Sequence, residues 1–255
     1  LVQELRGFGY DVVGDILAVA DYGVAQMRKR LFMVGVKGKK VAGFPPSPSH
    51  LKVDGTQLNF GLPAYRTTED VLDDLPDVNA PEAELIPNHE PTMHTEPMLR
   101  LFAGLQPGQR CRASFHDRLH PGRLGYTLRA GSGNFSPLRP IHYKHDRVIS
   151  VRESARLQGF ADTFIWPDSI PRLQQYRQVG NAVCPPIASA LGKMICRILG
   201  WAGNPEGFLG DPTKRPSPFE RTLAERLAAR QKYIHGASQG WDKPARRRAV
   251  GEKAQ

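Results

Sequence analysis

The stretch from Arg147 to Val183 begins RVISVRESARLQGF and closes on QYRQVGNAV, and it constrains the fold more than any other part of the chain. Ser150-Val151-Arg152-Glu153 has the spacing of a capping box, in which the serine oxygen and the glutamate carboxylate each satisfy a backbone N–H left over at a helix start. Gly159 then stops that helix, because glycine takes the left-handed conformation of a C-terminal cap without strain. Further on, Gly180-Asn181 predicts a turn. Pro185 and Pro186 fit the first turn of a longer helix running from about Pro185 to Leu199. Ile187, Leu191, Met194, Ile195 and Ile198 form its apolar face, and Gly200 ends it.

Upstream, YDVVGDILAV and Leu31–Lys37 are two runs rich in β-branched residues, separated by the polar loop Asp21–Arg30 with Gly23 as its turn marker. They predict a pair of strands joined by a charged loop. From Gly38 to Asp146 proline and glycine recur and the apolar runs shorten. Two helices are predicted there: one in TTEDVLDDL, with Val71, Leu72 and Leu75 on one face behind threonine caps, and one over Pro97–Leu105, with Met98, Leu101, Phe102 and Leu105 as its stripe. Gly125–Ala130 reads as a short strand. The region is an irregular, mixed α/β module set between two more regular parts.

The net charge of +10 on 255 residues favours a polyanionic partner, nucleic acid ahead of an anionic membrane. Half of that charge sits after Trp201, where 11 Lys and Arg face 6 Asp and Glu. A single amphipathic helix is predicted over Pro218–Tyr233, and Lys243–Gln255 reads as disordered. No apolar run reaches the roughly 18 residues of a membrane span, and LVQELRGFGY lacks the pattern of a signal peptide. Three scattered cysteines suit a reducing cytoplasm better than a disulfide framework. Cys111, His116 and His120, or His142 and His145, have crude ligand spacing but no accompanying CxxC pair, so no metal is expected. The chain opens on Leu1 rather than Met, which reads as a partial sequence.

Three segments, in order, resemble the DNA cytosine-5 methyltransferases. Gln26-x-Arg28-x-Arg30 is similar to that family's Gln-x-Arg-x-Arg motif before a strand. RVISVRESARLQGFADTF at Arg147–Phe164 is similar to its penultimate motif, and QVGNAVCP at Gln178–Pro185 to its last. A lone Gln-x-Arg-x-Arg carries little information; in this order, with RESARLQGF and GNAV, it is specific. The resemblance covers about residues 1–200. It implies the C-terminal part of a Rossmann-like α/β domain that uses S-adenosylmethionine, with an inserted target-recognition domain. Residues 1–37 are then the last strands of the catalytic domain, 38–146 the recognition domain, 147–200 the return to the catalytic domain and 201–255 a basic tail. The family's reaction transfers a methyl group to carbon 5 of a cytosine flipped out of duplex DNA, after a cysteine thiolate adds to carbon 6.

The resemblance places Arg30 at the flipped cytosine, as a fixed cation for charge that builds during thiolate addition. Gln26 and Arg28 would serve the DNA backbone and loop geometry, and Tyr126, Thr127, Leu128 and Arg129, in the likeliest base-reading run GYTLRAGSGNF, would bind DNA. Thr127-Leu128 resembles the Thr-Leu pair of many recognition domains. Asn181, Ala182 and Val183, before a helix start, would lie at the cofactor. Without the resemblance, the QMRKR run reads as a solvated hairpin loop, and Arg147, Arg152 and Arg156 as structural ties between the two parts. The chain contains no Pro-Cys-Gln loop, no Glu-Asn-Val triplet and no Phe-x-Gly-x-Gly loop. Cys184 belongs to the Gly-Asn segment and is not the expected nucleophile. The expectation is therefore a cytosine-5 methyltransferase portion that is inactive alone, either a truncated record or a split-enzyme subunit whose partner supplies the thiolate and cofactor loop. The competing expectation is a non-catalytic DNA-binding protein that reuses the recognition domain.

Overall fold

A computed structural model of the chain describes residues 1–53, 61–130 and 139–201. The GSGNF part of GYTLRAGSGNF, the helix expected over 218–233 and the rest of the basic tail lie outside the described residues. Contacts divide the chain into two units, Leu1–Arg215 and Pro216–Gln255, and the second lies wholly outside the described residues.

Helix α1 (Val2–Gly7) leads into strand β1 (Tyr10–Ala18), a 3-10 turn at Val19–Tyr22, and strand β2 (Lys29–Lys37). The strands pair antiparallel from Tyr10 opposite Lys37 to Ala18 opposite Lys29. Hydrogen bonds close both ends of the ladder, Val19 N–H to Arg28 O at 3.0 Å and Gly38 N–H to Gly9 O at 3.2 Å. In an antiparallel ladder bonded pairs alternate with unbonded ones. The odd residues of β1 and the even residues of β2 therefore bond each other.

Helix α6 (Pro185–Leu199) packs against one face of this hairpin. Leu17, Val34 and Val36 meet Ile187, Leu191 and Met194, with Val13, Phe32, Ile195 and Ile198 around them. The period-2 pattern of the strands and the 3.6-residue pattern of the helix thus bury the same stripe. Pro185 and Pro186 occupy the first helical turn, and Gly200 ends the helix at φ 70°.

A second core joins the recognition region to helices α4 (Val151–Leu157) and α5 (Arg172–Asn181). It contains Val71 and Leu72 of α2 (Thr68–Leu72) together with Leu119, Leu128, Tyr143, Ile149, Leu157, Trp166, Tyr176 and Val179. A third, smaller cluster surrounds Phe102 of α3 (Glu96–Ala103). The return segment is therefore shared. Helices α4 and α5 belong to the core of the irregular region, and α6 belongs to the core of the strands.

The expected capping box forms between Ser150 and Glu153, and the expected threonine cap, Thr67, forms a second one with Asp70. The Glu153 carboxylate also takes a two-pronged ion pair from Arg147, at 2.9 Å on each oxygen. Arg152 is fully buried and donates to the Pro87, Ala161 and Phe164 carbonyls. Arg156 bridges Asp74 and Asp162. These arginines tie 38–146 to the capped helix.

Two sequence expectations are corrected. Gly180 and Asn181 end helix α5 rather than forming a turn, and the chain becomes extended only at Ala182. Polar RLQQYRQVGN hides its helicity, because Gln175, Tyr176 and Val179 are buried by neighbours distant in sequence. Gly125–Ala130 is not a strand either; Gly125 makes an isolated parallel bridge with Gln26.

Candidate functional site

The loop between the 3-10 turn and β2 is shaped by Gly23, at φ 82°, where a Cβ would meet the His50 ring at 2.5 Å. Beyond it Met27 N–H donates to Gly125 O at 2.8 Å and Gly125 N–H to Ala25 O at 2.9 Å. The Gln-x-Arg-x-Arg segment is thereby fastened along the start of GYTLRA. Thr127 Oγ1 donates to the Met27 carbonyl, which fastens it again.

Gln26 is completely buried. Its amide donates to Gln158 Oε1 at 2.8 Å and Leu157 O at 3.2 Å, and its carbonyl accepts from Leu128 N–H at 3.2 Å. Gln158, also fully buried, passes the chain on to Ala182 O at 2.8 Å. Arg28 is buried too, and reaches Leu128 O at 3.1 Å, Gly180 O at 3.1 Å and Ala182 O at 3.4 Å. Burial, and then the nearby Arg30 charge, press its pKa below the usual arginine value, but an arginine remains cationic. A buried guanidinium without a carboxylate is tolerated only when carbonyls satisfy its donors.

The expected duties of Gln26, Arg28 and Leu128 at the DNA are revised accordingly. All three side chains lie inside the protein and hold its segments together. The exposed residues at this junction are Met27, Lys29, Arg30, Arg129, Asn181 and Val183. Tyr126 is partly buried, its hydroxyl donating to Gly108 O at 3.1 Å. Arg30 donates to the Lys29 carbonyl at 2.7 Å and, among the described residues, meets no carboxylate. It is a cation held at a strand start and open to solvent.

Gln158 is the junction residue that sequence reasoning passed over. Its signal was a lone amide between apolar Leu157 and the helix-stopping Gly159. Gly180 was legible only as a turn former. In the structure its helix lies so close to the recognition segment that a Cβ would come within 2.8 Å of Ala130 N and 2.9 Å of Arg129 C.

The start of α6 offers the positive end of a fifteen-residue helix. Pro185 and Pro186, however, remove two of the N–H groups that such a start presents to an anion. What remains for a cofactor is the exposed Asn181 amide and the exposed Val183 side chain, while Ala182 O is occupied by Arg28 and Gln158. Together they present one polar and one apolar group to solvent just before the α6 start.

All three cysteines are free thiols, and none lies in a Pro-Cys-Gln loop. Cys184 is buried, and burial pushes its thiol up to about 11 despite Arg28 and Arg30 nearby, so it stays protonated at neutral pH. Cys111 is buried in the irregular region and Cys196 lies within α6. Among the described residues no group of three or more His, Cys, Asp or Glu side chains is placed to hold a metal. Nor is any single helix there long and apolar enough to cross a membrane.

Comparison with known proteins follows the same lines. Residues 1–197 match the family described as C-5 cytosine-specific DNA methylase. The chain is 31% identical over 206 residues to the type II methyltransferase M1.HphI of Haemophilus parahaemolyticus, a match covering 78% of this chain and 51% of that protein. It is also 31% identical over 230 residues to the type II methyltransferase M.XorII of Xanthomonas oryzae pv. oryzae, covering 78% and 54%. The chain thus spans about half the length of the curated relatives it matches. In structure it resembles a prophage-encoded E. coli protein assigned as a DNA modification methyltransferase. The TM-score is 0.62 at 24% identity, over 77% of this chain and 63% of that one, a likeness of fold alone.

Proposed function

The chain belongs to the C-5 cytosine-specific DNA methylase family, and we propose that it supplies the target-recognition and C-terminal part of a DNA cytosine-5 methyltransferase. In that reading 38–146 recognises a specific duplex sequence and Arg30 contacts the flipped cytosine. Asn181 and Val183 border the S-adenosylmethionine site. The nucleophilic thiolate comes from a catalytic half that this chain does not contain.

One observation carries the reading. The segments around Arg30, Arg129 and Asn181–Val183 are distant in sequence, yet the Arg28 guanidinium and the Gln26–Gln158 pair clamp them at one junction. A segment read as DNA-recognising and one read as bordering the cofactor thus meet beside a cation that faces no carboxylate among the described residues, an arrangement suited to base methylation. Bound S-adenosylmethionine supplies the methyl group. Arg30 holds a fixed positive charge where negative charge accumulates on the cytosine ring during thiolate addition, and Arg28 keeps that strand start aligned with the recognition loop. A purely DNA-binding role would require neither the exposed Arg30 at the junction nor the open Asn181 and Val183.

Purified alone, the chain is expected to transfer no label from S-adenosylmethionine to DNA. Measurable transfer would overturn the assignment of the thiolate to another half. Combined with such a half, Arg30→Ala is expected to slow methylation on the order of a hundredfold, the scale of losing one charge-stabilising donor. Duplex affinity should change by less than about threefold, as for one exposed phosphate contact or less. Equal losses in both would make Arg30 a phosphate contact only.

A further inference from the structure

Among the described residues, two that are not glycine hold a left-handed backbone, Asn88 at φ 62° and Phe115 at φ 59°. Asparagine visits that region readily. Asn88 is also buried, donating to Trp166 O at 2.9 Å and accepting from Trp166 N–H at 3.0 Å. Phe115 has neither advantage. The conformation is disfavoured for a bulky side chain, and the ring is 49% exposed, so packing inside the fold offsets little of the strain. A loop serving the fold alone would place glycine there.

The loop is a short, firmly held hairpin. Arg110 bridges Asp117, Arg118 N–H donates to Gln109 O, Cys111 N–H to His116 O and Phe115 N–H to Cys111 O, each at 2.8 Å. Its base is fixed from inside by the buried Arg118 guanidinium, which reaches Phe102 O at 2.9 Å, Leu105 O at 3.1 Å and Asp146 at 2.8 Å. His116 meets the buried Phe102 ring edge-on. His116 therefore turns toward the core, and Phe115 turns to solvent.

The surroundings of the exposed ring are cationic. The Arg110 guanidinium lies 5.9 Å from its centroid, Arg112 is exposed on the same tip, and exposed Arg123 stands against Gly108 at the hairpin base. Asp117 offsets one of these charges, at 3.8 Å from Arg110. The Tyr126 hydroxyl donates to Gly108 O at 3.1 Å, so the hairpin adjoins the run expected to bind DNA. An aromatic face set among arginines suits a nucleobase and its phosphates: the ring stacks and the cations hold the backbone. Paired duplex hides its base faces, but flipping a base out opens a step at which one is presented.

Resting on the function proposed above, we infer that Phe115 is a stacking residue of the DNA interface, its ring packing on a base at an opened step of the duplex while Arg110 and Arg112 hold the flanking phosphates. The held, left-handed tip is what keeps the ring projecting.

The test titrates the full chain with two short duplexes of randomised sequence, one fully paired and one with a central abasic site that leaves a step already open, read by fluorescence anisotropy at fixed salt. The chain should bind the abasic duplex at least about threefold more tightly than the paired one. Phe115→Gly should abolish that preference and weaken binding to the abasic duplex about tenfold, without lowering the urea midpoint, because glycine holds this φ unstrained. Phe115→Leu, which keeps apolar bulk but has no flat face, should lose the preference too, and Phe115→Tyr should retain it. Absence of DNA binding by the chain, equal affinity for the two duplexes, or parental affinity in both Phe115→Gly and Phe115→Leu overturns the inference. So does an affinity loss that appears only together with a lower urea midpoint, the mark of a ring that serves the fold. Methyl transfer by this chain mixed with the unmatched part of the Haemophilus parahaemolyticus methyltransferase reads the functional proposal separately. Transfer with an unaltered duplex preference in the variants removes only the stacking residue, and a Phe115-dependent preference without transfer removes only the enzymatic reading.

Discussion

Gly180 and Arg28 show how single residues set the junction. A methyl group on Gly180 would press on the backbone of Arg129 and Ala130 at under 3 Å, and backbone cannot swing aside as a side-chain tip can. Gly180→Ala is therefore expected to destabilise the fold by about 1–3 kcal/mol, read as a lower urea midpoint. An unchanged midpoint would mean that the recognition segment is free to shift. Arg28 satisfies three carbonyls from two segments with one planar fork, which a lysine ammonium cannot copy. The sequence marks both residues as unusual. It does not say that one is a spacer and the other a clamp, because their partners lie at least 50 positions away.

Among the elements, α4 was legible and α5 was not. The capping box of α4 is local chemistry, written in Ser150 and Glu153 three residues apart; the structure adds the Arg147 ion pair on Glu153 and His89 Nδ1 sharing the Ser150 hydroxyl at 2.8 Å. Ser150→Ala should cost about 1–2 kcal/mol, for the lost cap and for the buried His89 partner, measured as a fall in thermal midpoint. Ser150→Thr, which keeps the hydroxyl, should recover most of it. Helix α5 lacks a side-chain cap and a broad apolar stripe, so its conformation is imposed by the core into which Tyr176 and Val179 fit. The same imposition converted the expected Gly-Asn turn into a helix end. In contrast, β2 and α6 follow their hydrophobic periods closely, because each packs one continuous stripe against the other.

Across the whole molecule, two cores meet at the Arg28 junction, and a buried ionic cluster stabilises the larger one. His142 accepts from Lys144 N–H through Nδ1 at 3.0 Å, so its neutral form carries the proton on Nε2, which faces Glu153 at 3.7 Å. Burial lowers its pKa to about 4, even with Glu153 opposing the shift. The folded value lies below the usual histidine value near 6.5, so the unfolded chain takes up its proton first as pH falls. The contribution is intact above pH 6.5 and is lost progressively down to about pH 4, by roughly 1–3 kcal/mol. His94 and His116 are depressed in the same direction by burial and add to the slope. His142→Asn, which keeps an acceptor near Lys144 N–H, should flatten part of the decline in thermal midpoint between pH 6.5 and 4; an unaltered slope would remove His142 from the account. By itself the sequence determined the strands, the capped helices, the basic charge and the family, since each is written in neighbouring residues or in ordered motifs. Only the tertiary structure decided that Gln26, Arg28 and Leu128 face inward and Arg30 outward. A run such as QMRKR exposes or buries its members according to which distant carbonyls and amides come within about 3 Å of each side chain, and no local pattern records that distance.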